Sequence, residues 1–146
     1  PVILYGDEIG MGEDLAIAGR MAVRTPMDWD AVDDQRRDAD TMLHFMTRLA
    51  HRRHDTPEFG WGESRLIENH PPALFAHRSD WEGSTVFAIH NLSGETVEYD
   101  LDLGEGVDGV DDLLELRDHD VEDGRLRVRL DAYGYLWLRA IRSSAA

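Results

Sequence analysis

Two adjacent carboxylates, Asp7 and Glu8, follow an apolar run, Val2-Ile3-Leu4-Tyr5, that breaks at Gly6. Carboxylates serve as acids, bases and nucleophiles in catalysis, but neighbours on an extended backbone point to opposite faces. These two therefore cannot work as a catalytic pair. His44, His51 and His54 can be drawn as a metal face on a helix, yet no carboxylate completes it at suitable spacing, and no metal is expected. The chain has no cysteine, which removes disulfides, thiolate metal sites and a cysteine nucleophile. There is no phosphate-cradling glycine motif, and the serines lack a nucleophile-elbow context, so no cofactor is implied. Trp61, Trp81 and Trp137 offer ring faces for stacking. Packing is the favoured role, because Trp137 alternates with Leu136 and Leu138 inside a strand pattern.

The elements that must position these residues change character along the chain. Residues 1–5 read as a short strand buried on both faces, as in a parallel sheet, with no partner strand nearby in the sequence. From Gly10 to about Asp40 the chain is polar and irregular, longer than an ordinary connection. Asp40 then reads as an N-cap, and Met42, Phe45, Met46 and Leu49 recur at helical spacing, predicting a helix over Asp40 to His54. Thr56-Pro57 ends it, and "EFGWGE" reads as a turn-rich boundary. Beyond Gly62 the period becomes two. Strands are predicted at Ser64–Glu68, Ala73–Arg78, Ser84–His90, Thr96–Leu101, Arg125–Leu130 and Tyr135–Ala140, with another within Asp112–Arg117. In "RLRVRL", Leu126, Val128 and Leu130 face one way and three arginines the other. Short strands at this spacing imply an antiparallel sandwich or small barrel.

At 146 residues the chain is long enough for a substantial core. Its formal charge is −15, and all fifteen basic residues are arginine. Such a surface repels phosphate backbones and anionic lipid, so neither nucleic acid nor a membrane is expected as partner. Thirteen carboxylates between Glu95 and Asp123 face one arginine, matching no calcium loop and reading as a solvated face. No stretch approaches a membrane span and the opening has no signal-peptide pattern, so a cytoplasmic setting is expected.

The order of parts, "YGDEIGMGED", then "GRMAVRTPMDWD", one helix and an antiparallel domain, resembles the C-terminal end of the alpha-amylase superfamily, glycoside hydrolase family 13. Val23-Arg24-Thr25-Pro26-Met27 followed by Trp29 is most similar to trehalose synthase and oligo-1,6-glucosidase-like members. The stretches "LAHRRHDTPEFGWGE", "VFAIHNLSGETVEYDLDL" and "LDAYGYLWLRA" extend the likeness over nearly the whole chain. The resemblance implies a mainly β protein. Residues 1–57 would hold the last strand, a long loop and the last helix of a truncated (β/α)8 barrel, and residues 58–146 a C-terminal β-sandwich.

In the family that the chain resembles, the nucleophile, the acid and a stabilising aspartate come from earlier barrel strands. The resemblance thus implies no catalytic residue here and no hydrolase or isomerase activity from these residues alone. The implied parent acts on an α-glucoside such as maltose, trehalose or a short glucan by a retaining mechanism, which needs two carboxyl groups about 5–5.5 Å apart. Sites in such barrels sit at the C-terminal ends of the strands, where Asp7 and Glu8 fall. These two acids brace the rim or touch sugar. Arg24 pairs with a catalytic carboxylate and donates to sugar hydroxyls, or braces the loop by a salt bridge. Trp29 shapes that loop or stacks on a sugar ring.

Asp28 stands where relatives usually carry Gln, an acceptor-only charge in place of a donor and acceptor. The stretch from Asp30 to Asp40 is also shorter than the relatives' loop. Val2 to Tyr5, without neighbours, is expected to be disordered or to pair with another chain, giving self-association. The alternative reading is a non-catalytic carbohydrate-binding or structural sandwich module.

Overall fold

The computed structural model describes residues 2–142; Pro1, the first residue of the strand expected at residues 1–5, lies outside them. Two compact units are distinguished, residues 1–51 and residues 52–146.

The first unit contains two short 3-10 helices, Asp7–Ile9 and Gly19–Val23, then α1 (Trp29–Arg37) and most of α2 (Met42–His54). The strand expected at residues 1–5 is not formed. Among the described residues no strand lies alongside to take its backbone groups, and Val2, Leu4 and Tyr5 are 66–86% exposed. The polar stretch after Gly10, expected as irregular loop, folds locally and contains α1. Asp28 caps that helix, its Oδ1 accepting the Ala31 N–H at 3.0 Å. Asp30 lies in the first turn and Arg36 and Arg37 in the last, as the helix dipole favours.

The helix expected over Asp40 to His54 is present, but it begins at Met42, and Asp40 does not cap it. The Leu43 N–H is instead taken by Gln35 Oε1 at 3.0 Å. None of its residues is buried, so its apolar stripe forms the helix without entering a core.

In the second unit "EFGW", expected as a turn, forms a one-turn helix, α3 (Glu58–Trp61). Eight strands follow among the described residues: β1 (Glu63–Leu66), β2 (Leu74–Trp81), β3 (Ser84–Asn91), β4 (Val97–Asp102), β5 (Val107–Asp112), β6 (Val121–Glu122), β7 (Arg125–Leu130) and β8 (Tyr135–Arg142). They pair antiparallel in two sheets, β1-β2-β3-β8-β5 and β4-β7-β6. The strand expected within Asp112–Arg117 lies earlier, as β5. Its sequence, VDGVDD, lacks a clean alternation, and its register against β8 shifts between Val107 and Gly109.

Two-residue turns set the register of two hairpins. Glu82-Gly83 joins Trp81 to Ser84, and Asp123-Gly124 joins Glu122 to Arg125, all four turn residues having positive φ, as primed turns require. At Gly124 a side chain would also strike the Gly104 carbonyl.

The core lies between the two sheets. Phe87, Ile89, Leu136 and Leu138 from the larger sheet meet Leu101, Leu126, Val128 and Leu130 from the smaller. On the outer face of the larger sheet α3 packs over β2 and β3, with Phe59 edge-on to Trp137 at 4.8 Å. A buried polar knot closes one end. Asn91 Nδ2 donates to the carbonyls of Glu95 at 2.7 Å and Asp131 at 2.9 Å, while its Oδ1 accepts from the Ser93 N–H and hydroxyl. No helix among the described residues is long and apolar enough to cross a membrane.

Candidate functional site

In the first unit the chain doubles back and leaves a groove of about 550 Å³. Leu4, Tyr5 and Asp7 line one part of it, and Val23, Arg24 and Thr25 another. Backbone geometry makes the turn. Gly6 has φ 94°, and a side chain there would come within 2.9 Å of Met11. That conformation lets the Met11 N–H reach the Gly6 carbonyl at 2.9 Å. The return strand of chain is held by the Asp14 N–H on the Ala22 carbonyl and by the Met27 N–H, which donates to Tyr5 Oη at 3.2 Å.

The sequence-derived candidates separate into two groups. Asp7 and Arg24 share the groove, whereas Glu8, Asp28 and Trp29 do not line it. Asp7 Oδ2 accepts the Leu4 N–H at 2.8 Å, and Glu8 Oε2 accepts the Gly6 N–H at 2.9 Å, so each acid ties down its own loop. The Arg24 guanidinium has no hydrogen-bond or ion-pair partner among the described residues. Asp28 is occupied as a helix cap, and Trp29, the first residue of α1, is 65% exposed. An arginine fork beside a carboxylate supplies donors and an acceptor for a hydroxyl-bearing ligand. It supplies no nucleophile activated by a base. No group of His, Asp and Glu among the described residues can hold a metal ion.

Sequence reasoning missed the residue that ties the elements of the first unit together. Gln35 Nε2 donates to the Ile9 carbonyl at 2.8 Å while its Oε1 takes the Leu43 N–H, linking the first 3-10 helix, α1 and α2. It also missed Glu58, which has 2% of its side chain exposed. Burial pushes the Glu58 carboxyl up, but hydrogen bonds from Arg139 and Ser84 outweigh it and hold the group below its ordinary range. Arg139 Nε and Nη2 lie 2.9 and 3.1 Å from its two oxygens, and Ser84 Oγ donates at 2.6 Å. Neither residue sits in a recognisable motif; each acts through partners far away in sequence.

The sequence and fold of the chain are similar to those of the C-terminal part of alpha-amylase superfamily proteins, glycoside hydrolase family 13. Residues 83–139, from the start of β3 into β8, match the family model of the sucrose hydrolase-like C-terminal domain. Among curated proteins the chain is similar to trehalose synthase of Pimelobacter sp., 25% identical over an alignment covering 95% of this chain and 30% of that protein. The chain thus spans under a third of the length of that relative. Its fold is shared with an alpha-glucosyl transfer enzyme, at 20% identity and a TM-score of 0.71, covering 93% of this chain and 32% of that one. It is shared too with AmyP solved with maltotriose, at 17% identity and a TM-score of 0.72, covering 96% and 31%.

Proposed function

We propose that these residues are the C-terminal part of an enzyme that processes α-linked glucosides, in its most specific form one that interconverts maltose and trehalose by a retaining double displacement. The observation that carries this reading is the likeness to trehalose synthase, which runs across 95% of the chain. The AmyP structures with maltose and maltotriose support glucosides as the substrate class.

In this reading the catalytic carboxylates come from sequence outside the 146 residues. Asp7 and Arg24 contribute to the rim of the site, and Val2 to Tyr5 pairs with barrel strands of the same polypeptide. The second unit acts as a stabilising sandwich. Arg24 has the more direct part, because its donors are unspent while Asp7 already accepts a backbone N–H.

Turnover of maltose and trehalose tests this on two proteins, the 146-residue chain and the product of the gene with its upstream coding sequence. The chain alone is expected to convert neither sugar. The longer protein is expected to interconvert them, with Arg24→Ala lowering kcat/KM by about 10–100-fold, the worth of one or two hydrogen bonds from a charged group. Turnover by the chain alone, or a longer protein inert toward both sugars, overturns the reading.

A further inference from the structure

The second unit carries its own groove, of about 430 Å³, between the loop after β5, strand β7 and the turn into β8. Its walls hold Arg117, His119, Arg127, Arg129, Asp131 and Tyr135. Each arginine is already paired. Arg117 meets Glu115 at 2.9 Å, Arg127 meets Glu98 at 2.7 Å and Asp100 at 2.8 Å, and Arg129 meets Glu98 at 3.2 Å. Ion pairing fixes the planes of the guanidiniums and cancels their charge, but each has five N–H donors and spends only part of them.

His119 is oriented from behind. Its Nε2 lies 3.2 Å from Oδ2 of Asp112, whose side chain is fully buried and whose Oδ1 accepts the Leu114 and Glu115 N–H groups at 3.0 Å each. Burial pushes the Asp112 carboxyl up, yet those two N–H groups and His119 outweigh it and keep the group ionised. His119 therefore donates its Nε2–H to the carboxylate, and Nδ1, which has no partner among the described residues, is left open to a ligand.

The walls choose the ligand by chemistry. An anion would meet Glu115 and Asp131 in a molecule of charge −15, and a cation would meet three arginines. Fixed planar donors and acceptors beside the ring of Tyr135 suit a neutral ligand dense in hydroxyls, and the volume lies in the usual range for small-molecule sites, about 300–1,000 Å³. We propose that this groove is a second carbohydrate site, separate from the rim, that binds short neutral α-linked glucose oligosaccharides. The choice of α-linked glucose rests on the proposed function; the neutrality and the hydroxyls rest on the groove.

Titration calorimetry of the 146-residue chain with maltotriose, cellotriose and inorganic phosphate tests it. Maltotriose is expected to saturate with a Kd on the order of 1 mM, a typical weak affinity of about −4 kcal/mol. Arg117→Ala and His119→Ala should each weaken binding about fivefold or more, the worth of roughly one hydrogen bond, while Trp61→Ala, away from the groove, should leave it unchanged. Arg117 is exposed, so its variant reads binding even where His119→Ala disturbs the loop. No saturation with maltotriose, binding of phosphate in its place, or binding indifferent to both substitutions overturns the proposal. Preference for cellotriose overturns the α-linked assignment. Calorimetry on the 146-residue chain reads this groove and maltose turnover by the longer protein reads the proposed activity, so failure of one and failure of the other are distinguished.

Discussion

At Asp28 the side chain serves as a helix cap. Its carboxylate reaches back to the Ala31 N–H, a geometry that suits a short acceptor and not the longer glutamine. Asp28→Ala is expected to destabilise the fold by about 1 kcal/mol, and Asp28→Asn by only a few tenths, in denaturant unfolding. Gln35 is another residue on which the first unit depends. Gln35→Ala strips partners from the Ile9 carbonyl and the Leu43 N–H, and hydrogen exchange at Leu43 should quicken about tenfold, for a loss of roughly 1–1.5 kcal/mol. The sequence made Asp28 look like altered chemistry because α1 itself was hidden, having Val32 as its single buried residue. Gln35 was invisible for a different reason: its two partners lie 26 and 8 residues away, and both are backbone groups that leave no trace in composition.

Among the elements, those with a strong internal period were legible. In β7 the alternation of exposed arginines with buried Leu126, Val128 and Leu130 is the pattern that the sequence displays. Strand β5 was misplaced because its glycine and three aspartates mask the two valines that face inward. The first apolar run fails in the opposite sense. Hydrophobic composition alone does not make a strand when nothing pairs with it. Helix α3, one turn long, cannot persist unaided and is fixed to β8 by Glu58 on Arg139. Glu58→Gln removes the charge from this buried pair and leaves Arg139 without its partner, an expected loss of about 3 kcal/mol, measurable by thermal unfolding.

For the molecule as a whole, acid is expected to act in two stages. His77 is held below its ordinary value of 6.5 by burial, and His90 by burial and by His77. Both fold as neutral rings, so their contribution is complete above that value and falls as pH drops below it toward their lower folded values. Glu58, Asp80 and Asp112 are likewise depressed, Asp80 chiefly by Arg78, and their contribution is lost further down, below about pH 4. A plot of Tm against pH should be flat above about pH 7, decline gently to about pH 5 and fall steeply below about pH 4. His77→Phe should remove part of the gentle decline alone. The core sets the scale for such losses: Leu138, wholly buried between the sheets, should cost about 3 kcal/mol or more when cut to alanine.

Strand β4 lies at an edge of the smaller sheet, and its outward side chains Glu98, Asp100 and Asp102 stand opposite Arg129, Arg127 and Arg125 of β7. Every outward charge on that border is of one sign. A second copy approaching to extend the sheet through its own β4 brings acid against acid, whereas β7, which would attract it, is already flanked on both sides. The same ladder that joins two strands within a molecule therefore opposes pairing of β4 with β4 between molecules. High salt, by screening like charges, would be the condition under which crowded solutions of this protein begin to associate.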